Sequence, residues 1–140
     1  MLALGLAAVP AGARETPTGF TVSVSVAPRA SLDVFGLPGR LPLSDEDVAR
    51  GYLDFVATCR VRSNDPRGYI LRLVPRTGPT RAIEVRGLGE DMVLGEDSVE
   101  IHRPAAGKSQ ALEFRVRLVL DPRATAGTYA MPLQLDVSTT

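Results

Sequence analysis

The sequence alternates apolar and polar residues with a period of two, and this alternation limits the folds open to it. In Leu112–Leu120 every second residue is apolar, and Phe55–Val61 and Tyr129–Val137 repeat the pattern. Successive side chains of a β-strand point to opposite faces, so each run predicts a strand with one buried face. Shorter runs predict further strands at Phe20–Val26, Leu32–Phe35, Tyr69–Leu73, Arg81–Arg86, Met92–Leu94 and Ser98–His102. Many short strands without intervening helices favour an all-β, antiparallel sandwich.

Turn-forming residues separate the predicted strands. Ser63–Gly68 combines Asn, Asp, Pro and Gly and predicts a hairpin, while Pro75–Pro79 predicts a corner. Asp121–Gly127 predicts the turn before the last strand. Pro132 has no amide hydrogen, so the strand Tyr129–Val137 is expected to be an edge strand or to be bulged there.

One short helix is predicted between the second and third strands. Ser44 is followed by three acidic residues that end at Asp47, which is the pattern of a capping box with acids in the first turn. Gly51 is placed to end the helix.

The first residues have the character of an export signal. Met1–Ala13 carries no charge and ends in Ala-Gly-Ala, the small-x-small pattern that a signal peptidase accepts. The run is shorter than the ~20 residues that a membrane-spanning helix needs, so we expect no transmembrane segment. We therefore expect residues 1–13 to be a signal peptide and residues 14–140 to form a single sandwich domain in the periplasm or at the cell surface. The alternative is an unstructured apolar tail on a cytosolic protein.

The charges favour no polyanionic partner. The chain has 16 basic and 16 acidic residues, and its 15 arginines are scattered along the sequence. Proteins that bind nucleic acids concentrate basic residues on one face or helix. We expect neither nucleic acid nor an anionic membrane as a partner.

The residues that usually carry catalysis are few. Cys59 is the only cysteine, so it cannot form an internal disulfide, and it falls in an inward position of its predicted strand. His102 is the only histidine and falls on a polar face. We expect no catalytic residue, metal or cofactor, and a non-enzymatic role. The competing interpretation, a small hydrolase with acidic catalytic groups, requires two carboxylates that converge in a pocket.

Five arginines share the outward face of their predicted strands: Arg60, Arg62, Arg72, Arg115 and Arg117. If these strands are neighbours, one sheet face carries an arginine-rich stripe that can bind acidic glycans or the carboxylates of a partner. The alternative is a solvated face on which Glu84 and Glu113 neutralise the arginines.

Two segments and one residue resemble a known family. The segment Gly19–Pro28 reads GFTVSVSVAP, and Ala126–Tyr129 reads AGTY before a terminal strand. Together with Cys59 in a middle strand, these segments resemble the spore coat protein U and archaic chaperone–usher pilin family, which consists of secreted bacterial proteins. The chain departs from that family at Ala30 and Ser31, near which the family has a second cysteine, so the family's disulfide is absent. It departs again at Pro132 and the residues just before it, where the family commonly has Thr-Asp.

The resemblance implies an immunoglobulin-like sandwich that lacks one strand and is completed by the N-terminal strand of the next subunit. Phe20, Val22, Val24 and Val26 would then be the side chains of the donor strand. The groove wall would comprise Tyr129, Met131, Leu133 and Leu135. The partners would be other copies of the chain or related subunits, and a periplasmic chaperone and usher. The alternative is a self-contained periplasmic binding or accessory module for a protein or glycan, in which Phe20–Val26 is the first strand of its own domain.

Overall fold

The computed structural model describes residues 22–105 and 107–140, which form ten β-strands and one short helix. The elements are β1 (Ala30–Val34), β2 (Arg40–Leu43), α1 (Asp45–Arg50), β3 (Tyr52–Ser63), β4 (Tyr69–Pro75), β5 (Thr80–Arg86), β6 (Met92–Leu94), β7 (Val99–Arg103), β8 (Gln110–Leu120), β9 (Gly127–Ala130) and β10 (Leu133–Thr139). The predicted signal peptide, residues 1–13, and Phe20 lie outside the described residues. The prediction of an all-β fold with one short helix is confirmed.

The strands form antiparallel sheets in a sandwich-like arrangement. One sheet has the order β1-β3-β8-β5-β6, a second has the order β10-β4-β7, and β2 pairs with β9. In an immunoglobulin constant-type sandwich, strands A, B, E and D form one sheet and strands C, F and G form the other. The series β1, β3, β8, β5 follows the order A, B, E, D, and β4 and β10 correspond to C and F. Strand G would lie beside β10, where the described residues place no strand.

The core lies between the sheets and is formed by the inward residues that the alternation predicts. Ala57, Cys59 and Val61 of β3 are buried, as are Phe114 and Val116 of β8. The second sheet contributes the buried side chains Tyr69, Leu71, Leu73, Leu133 and Leu135. Tyr69 can be fully buried because its hydroxyl donates a hydrogen bond of 2.6 Å to Oε1 of Gln110.

The predicted helix is present with both of its caps. The Ser44 hydroxyl accepts a hydrogen bond from the Asp47 amide, and the Asp47 carboxylate accepts one from the Ser44 amide. Gly51 ends the helix with a φ of 86°, a left-handed conformation that glycine adopts without steric cost.

The segment Ser63–Gly68 is not a hairpin, and that prediction is wrong. It connects β3 to β4, which belong to different sheets, so it is a corner that carries the chain across the sandwich. The Asp65 side chain is buried in this corner. Its carboxylate accepts hydrogen bonds from the Arg67 amide at 2.9 Å and from the Thr140 hydroxyl at 2.9 Å. Turn residues identify a change of direction, but they do not say whether the next strand pairs with the previous one.

The predicted strand Tyr129–Val137 is interrupted at Met131 and Pro132, which separate β9 from β10. β10 is an edge strand of its sheet, so the expected edge position is confirmed. The prediction of one strand over Tyr129–Val137 is wrong, because its two parts pair in different sheets. β2 was not predicted. Its only alternation is Leu41 and Leu43, both buried, around a proline.

The described part of the predicted strand Phe20–Val26 is not a strand. Residues 22–29 have no regular secondary structure, and Val22, Val24 and Val26 are 49%, 75% and 70% exposed. For these residues, the interpretation of the segment as the first strand of its own domain is therefore wrong. The physical reason is that β1 already lies beside β3, on the edge that a first strand would take.

Candidate functional site

The side of the sandwich between β1 and β10 is the most unusual feature of the fold. β10 pairs with β4 from Leu133 opposite Pro75 to Thr139 opposite Tyr69. Within residues 22–105 and 107–140, no strand pairs with the other edge of β10. β1 is likewise the edge strand of its own sheet. Edge strands present unpaired backbone N–H and C=O groups that can pair with another strand.

The inward side chains along this side are incompletely covered. Leu32 and Val34 of β1 lie opposite the buried Val61 and Cys59 of β3, so all four share the core face. Leu32 is nevertheless half-buried, and Val34 is 37% exposed. On β10, Val137 is also only half-buried. The apolar interior therefore reaches the surface between these two edges.

An open groove of about 810 Å³ lies where the start of β1 meets the end of β10. Its lining includes Ala30 and Ser31 on one side and Ser138 and Thr139 on the other. The remaining lining residues are mostly polar, and Arg62, Asn64 and Lys108 are among them. The groove marks one end of the open side, and Leu32, Val34 and Val137 are not part of its lining.

The N-terminal segment is held at the same groove. The Asn64 side chain accepts a hydrogen bond from the Arg29 amide at 2.6 Å and donates one to the Ala27 carbonyl at 3.1 Å. The Asn64 amide also donates to the Arg29 carbonyl at 3.1 Å. Pro28 and Arg29 line the groove. The exposed valines of residues 22–26 therefore directly precede Ala27, which is anchored at one end of the open side.

The four predicted groove-wall residues fall into two groups. Leu133 and Leu135 lie on β10 and are 2% and 7% exposed, so they are core residues of the strand with the free edge. Tyr129 lies on β9, opposite Leu41 of β2, so its strand already has a partner. Met131 is buried between the two strands. Sequence reasoning missed Leu32, Val34 and Val137, because half-burial of an inward residue depends on which strands surround it.

Tyr129 has a separate structural role. Its hydroxyl donates a hydrogen bond of 2.6 Å to the carbonyl of Thr125, four residues earlier, at the corner after β8. Immunoglobulin-like sandwiches carry such a tyrosine corner between strands E and F. The Gly-Thr-Tyr signal at the end of the sequence therefore fixes the entry into the last strand.

The outer face of the five-stranded sheet carries most of the predicted arginine stripe. Arg60 and Arg62 lie on β3, and Arg115 and Arg117 lie on the neighbouring strand β8. Arg72 lies on β4 in the other sheet, so its inclusion in the stripe is wrong. In that sheet, Nη2 of Arg72 lies 3.6 Å from Oε1 of Glu100. Alternation gives the face that a residue takes on its own strand, but it does not identify the neighbouring strands.

Acidic residues neutralise part of this face. Arg117 donates two hydrogen bonds to the Asp54 carboxylate, at 2.7 Å from Nε and 2.9 Å from Nη2. These bonds lower the pKa of Asp54 and raise that of Arg117. The Arg117 guanidinium also lies over the Tyr52 ring, 4.2 Å from its centroid. Of the two predicted neutralising acids, Glu84 lies beside Arg117 in register, whereas Glu113 forms no ion pair in the described part of the chain.

The residues with catalytic potential are placed as predicted. Cys59 is buried and unpaired, and burial raises the pKa of its thiol, which makes it a poor nucleophile. His102 is exposed on β7. Among the described residues, no three His, Cys, Asp or Glu side chains come together as metal ligands. The described part of the chain also holds no helix with the length and apolar character to cross a membrane.

The chain matches no known protein-family model, and neither a curated protein nor a solved structure is detectably similar to it.

Proposed function

We propose that this protein is a secreted, non-enzymatic structural subunit of the pilin or coat type, which joins to other copies by donating its N-terminal strand. Two structural features on the open side between β1 and β10 support the proposal. Among residues 22–105 and 107–140, no strand pairs with the outer edge of β10, on which Val137 is only half-buried. The exposed segment Val22–Val26 precedes Ala27, which is anchored at the end of this side.

The two features are chemically complementary. Along the open side between β1 and β10, no described strand covers the half-buried Leu32 and Val137 or the exposed Val34. The segment carries valines at alternate positions with serines between them, so it can supply an apolar face there. An incoming strand can pair with the free backbone groups of β10 while its valines cover the interior at Val34 and Val137. Burial of Phe20 and the three valines contributes on the order of 6–10 kcal/mol before the cost of ordering the segment.

The anchoring favours exchange between chains over self-insertion. A segment that folds back into its own open side must reverse direction before β1, so the turn must be made by the residues just before Ala30. Ala27, Pro28 and Arg29 are the only residues between Val26 and β1, and Asn64 holds the backbone of both Ala27 and Arg29. Self-insertion would break these hydrogen bonds, whereas insertion into a second copy leaves them in place.

The proposed partners follow from the same chemistry. A free edge with exposed apolar residues pairs non-specifically unless it is covered. A partner that covers β10 before assembly would meet this need. The resemblance to chaperone–usher pilins implies that the partner is a periplasmic chaperone and that an usher receives the subunit in the periplasm or at the cell surface.

The test compares two forms of the chain, one beginning at Arg14 and one beginning at Ala27. We expect the longer form to give concentration-dependent polymers in sedimentation velocity runs and the shorter form to be monomeric. Addition of a peptide of residues 19–28 to the shorter form should give a one-to-one complex, and a peptide with Val24→Asp should not bind. If both forms are monomeric and the peptide does not bind, the assembly role is wrong and the self-contained binding module is favoured.

A further inference from the structure

Two arginines lie directly opposite each other on the outer face of the five-stranded sheet. Arg86 of β5 is the register partner of Arg115 of β8. On its other side, Arg115 lies opposite Val56 of β3, which has no charge and is 47% exposed. Like charges placed directly opposite on neighbouring strands destabilise a sheet. Nearby acids or a bound anion would therefore stabilise the pair.

The nearby acids approach Arg86 or Arg117 and not Arg115. Asp54 is held by the two hydrogen bonds from Arg117. Glu84 and Asp91 each approach Arg86 only to 3.9 Å, which is a weak, exposed ion pair. In residues 22–105 and 107–140, Arg115 forms no ion pair.

These side chains surround a concave site of about 330 Å³ on the sheet face. Its charged lining consists of Arg86, Arg115 and Arg117 against Asp54 and Glu84. Asp91 lies outside the lining, 3.9 Å from Arg86, so among the described residues Arg115 is the arginine of the lining without an ion pair. Guanidinium groups bind planar carboxylates through paired hydrogen bonds. One guanidinium without an ion pair matches a monoanion, and the exposed Val56 side chain offers an apolar surface to the carbon chain that carries the carboxylate.

We propose that Arg86 and Arg115 form a binding site for a carboxylate group, carried by a small organic acid or by an acidic side chain of a partner polypeptide. The site lies on the outer face of the sheet and uses no residue of the free edge of β10, so it is independent of strand exchange. Arg115 supplies the guanidinium that has no ion pair among the described residues. When the anion is bound, Arg86 donates a second set of hydrogen bonds to it, and the repulsion between the two arginines is offset.

The test uses the full chain and follows arginine side-chain NMR signals during titration with sodium butyrate, against sodium chloride at matched ionic strength. We expect saturable shifts of the Arg86 and Arg115 Nε–H signals with butyrate only. Arg115→Gln should weaken butyrate binding about tenfold or more, because a charge-assisted pair is lost. The matched control is Arg60→Gln, which removes an arginine from the same face outside the concave site and should change the affinity less than twofold.

The source of the carboxylate is distinguished with a capped glutamate-containing peptide and its glutamine counterpart. A glutamate peptide that binds at least tenfold more tightly than butyrate assigns the site to a polypeptide partner, and equal affinities assign it to a free acid. Without ligand, Arg115→Gln should keep or raise the unfolding temperature, because it removes the like-charged pair. Equal binding of both peptides, absence of saturable shifts, or no effect of Arg115→Gln overturns the proposal.

Discussion

Replacement of Val24 by alanine should weaken the association of chains without weakening the fold of one chain. Val24 is 75% exposed in the isolated chain and makes no contribution to the core. If the segment inserts into the groove of a second copy, that exposed surface becomes buried. The substitution therefore acts on assembly alone.

The magnitude follows from the exposed fraction. Valine has two carbons more than alanine, and each buried carbon group contributes about 0.8 kcal/mol. Scaled by the exposed fraction of Val24, the loss is about 1.2 kcal/mol, or about eightfold in the association constant. The same reasoning for Val22, which is 49% exposed, gives about 0.8 kcal/mol, or about fourfold. The predicted order of effects is therefore Val24, then Val26, then Val22.

The assay is sedimentation equilibrium of the chain from Arg14, with thermal unfolding of each variant measured in parallel. Ser23→Ala is the matched control, since Ser23 points away from the valine face and should change the association constant less than twofold. An unchanged association constant for Val24→Ala, or an equal loss for Ser23→Ala, would refute the insertion of the valine face. A lowered unfolding temperature of the Val24→Ala monomer would refute its exposure.

The remaining predictions concern the corner between β3 and β4. Gly68→Ala should destabilise the fold by more than about 2 kcal/mol in urea unfolding, because Gly68 has a φ of 107° and an added Cβ would lie 2.0 Å from the Arg103 carbonyl oxygen. Gly39→Ala, with open space around its Cβ, should stay within about 0.5 kcal/mol, and equal effects would contradict the assigned geometry. Hydrogen bonds from the side chain and amide of Arg67 lower the pKa of Asp65 to about 2, from 3.8. Its stabilising contribution should be complete above pH ~4 and should be lost as the pH falls towards 2; an Asp65→Asn chain with the same acid dependence in that interval would disprove the assignment.

The strand content could be predicted because the strands bury one face each. Alternation locates β3 and β8, whose inward residues Ala57, Cys59, Phe114 and Val116 are all buried. The capping residues locate the helix, and Pro132 indicates the edge position of β10. All of these signals are local, since the alternation, the helix cap and the proline each act on a few consecutive residues.

The pairing of the strands could not be predicted, because it depends on contacts between distant segments. The turn residues of Ser63–Gly68 suit a hairpin and a cross-sheet corner equally well. β2 is too short for its two buried leucines to stand out, and it pairs with β9 far along the chain. The alternation of Val22–Val26 is the most instructive case, because a sequence pattern shows that a segment can form a strand but does not say with which chain.

The candidate sites could be predicted only in part, because a strand's own pattern is evident in the sequence and its neighbouring strands are not. The sequence indicates the valines of the segment and the buried leucines of β10, but the incomplete cover over Leu32, Val34 and Val137 needs the topology. On the arginine-bearing face, Arg115 is evident from its strand, whereas its partner Arg86 is identified only by the register of β5 and β8.

Hydrogen exchange at the backbone amides of β10 tests the free edge most directly. In the chain that begins at Ala27, we expect the β10 amides on the side away from β4 to exchange rapidly while those of β8 are protected on both sides. Addition of the peptide of residues 19–28 should slow exchange at alternate residues of β10. Full protection of β10 before the peptide is added, or no change after it, would contradict the incomplete sandwich on which the proposed function depends.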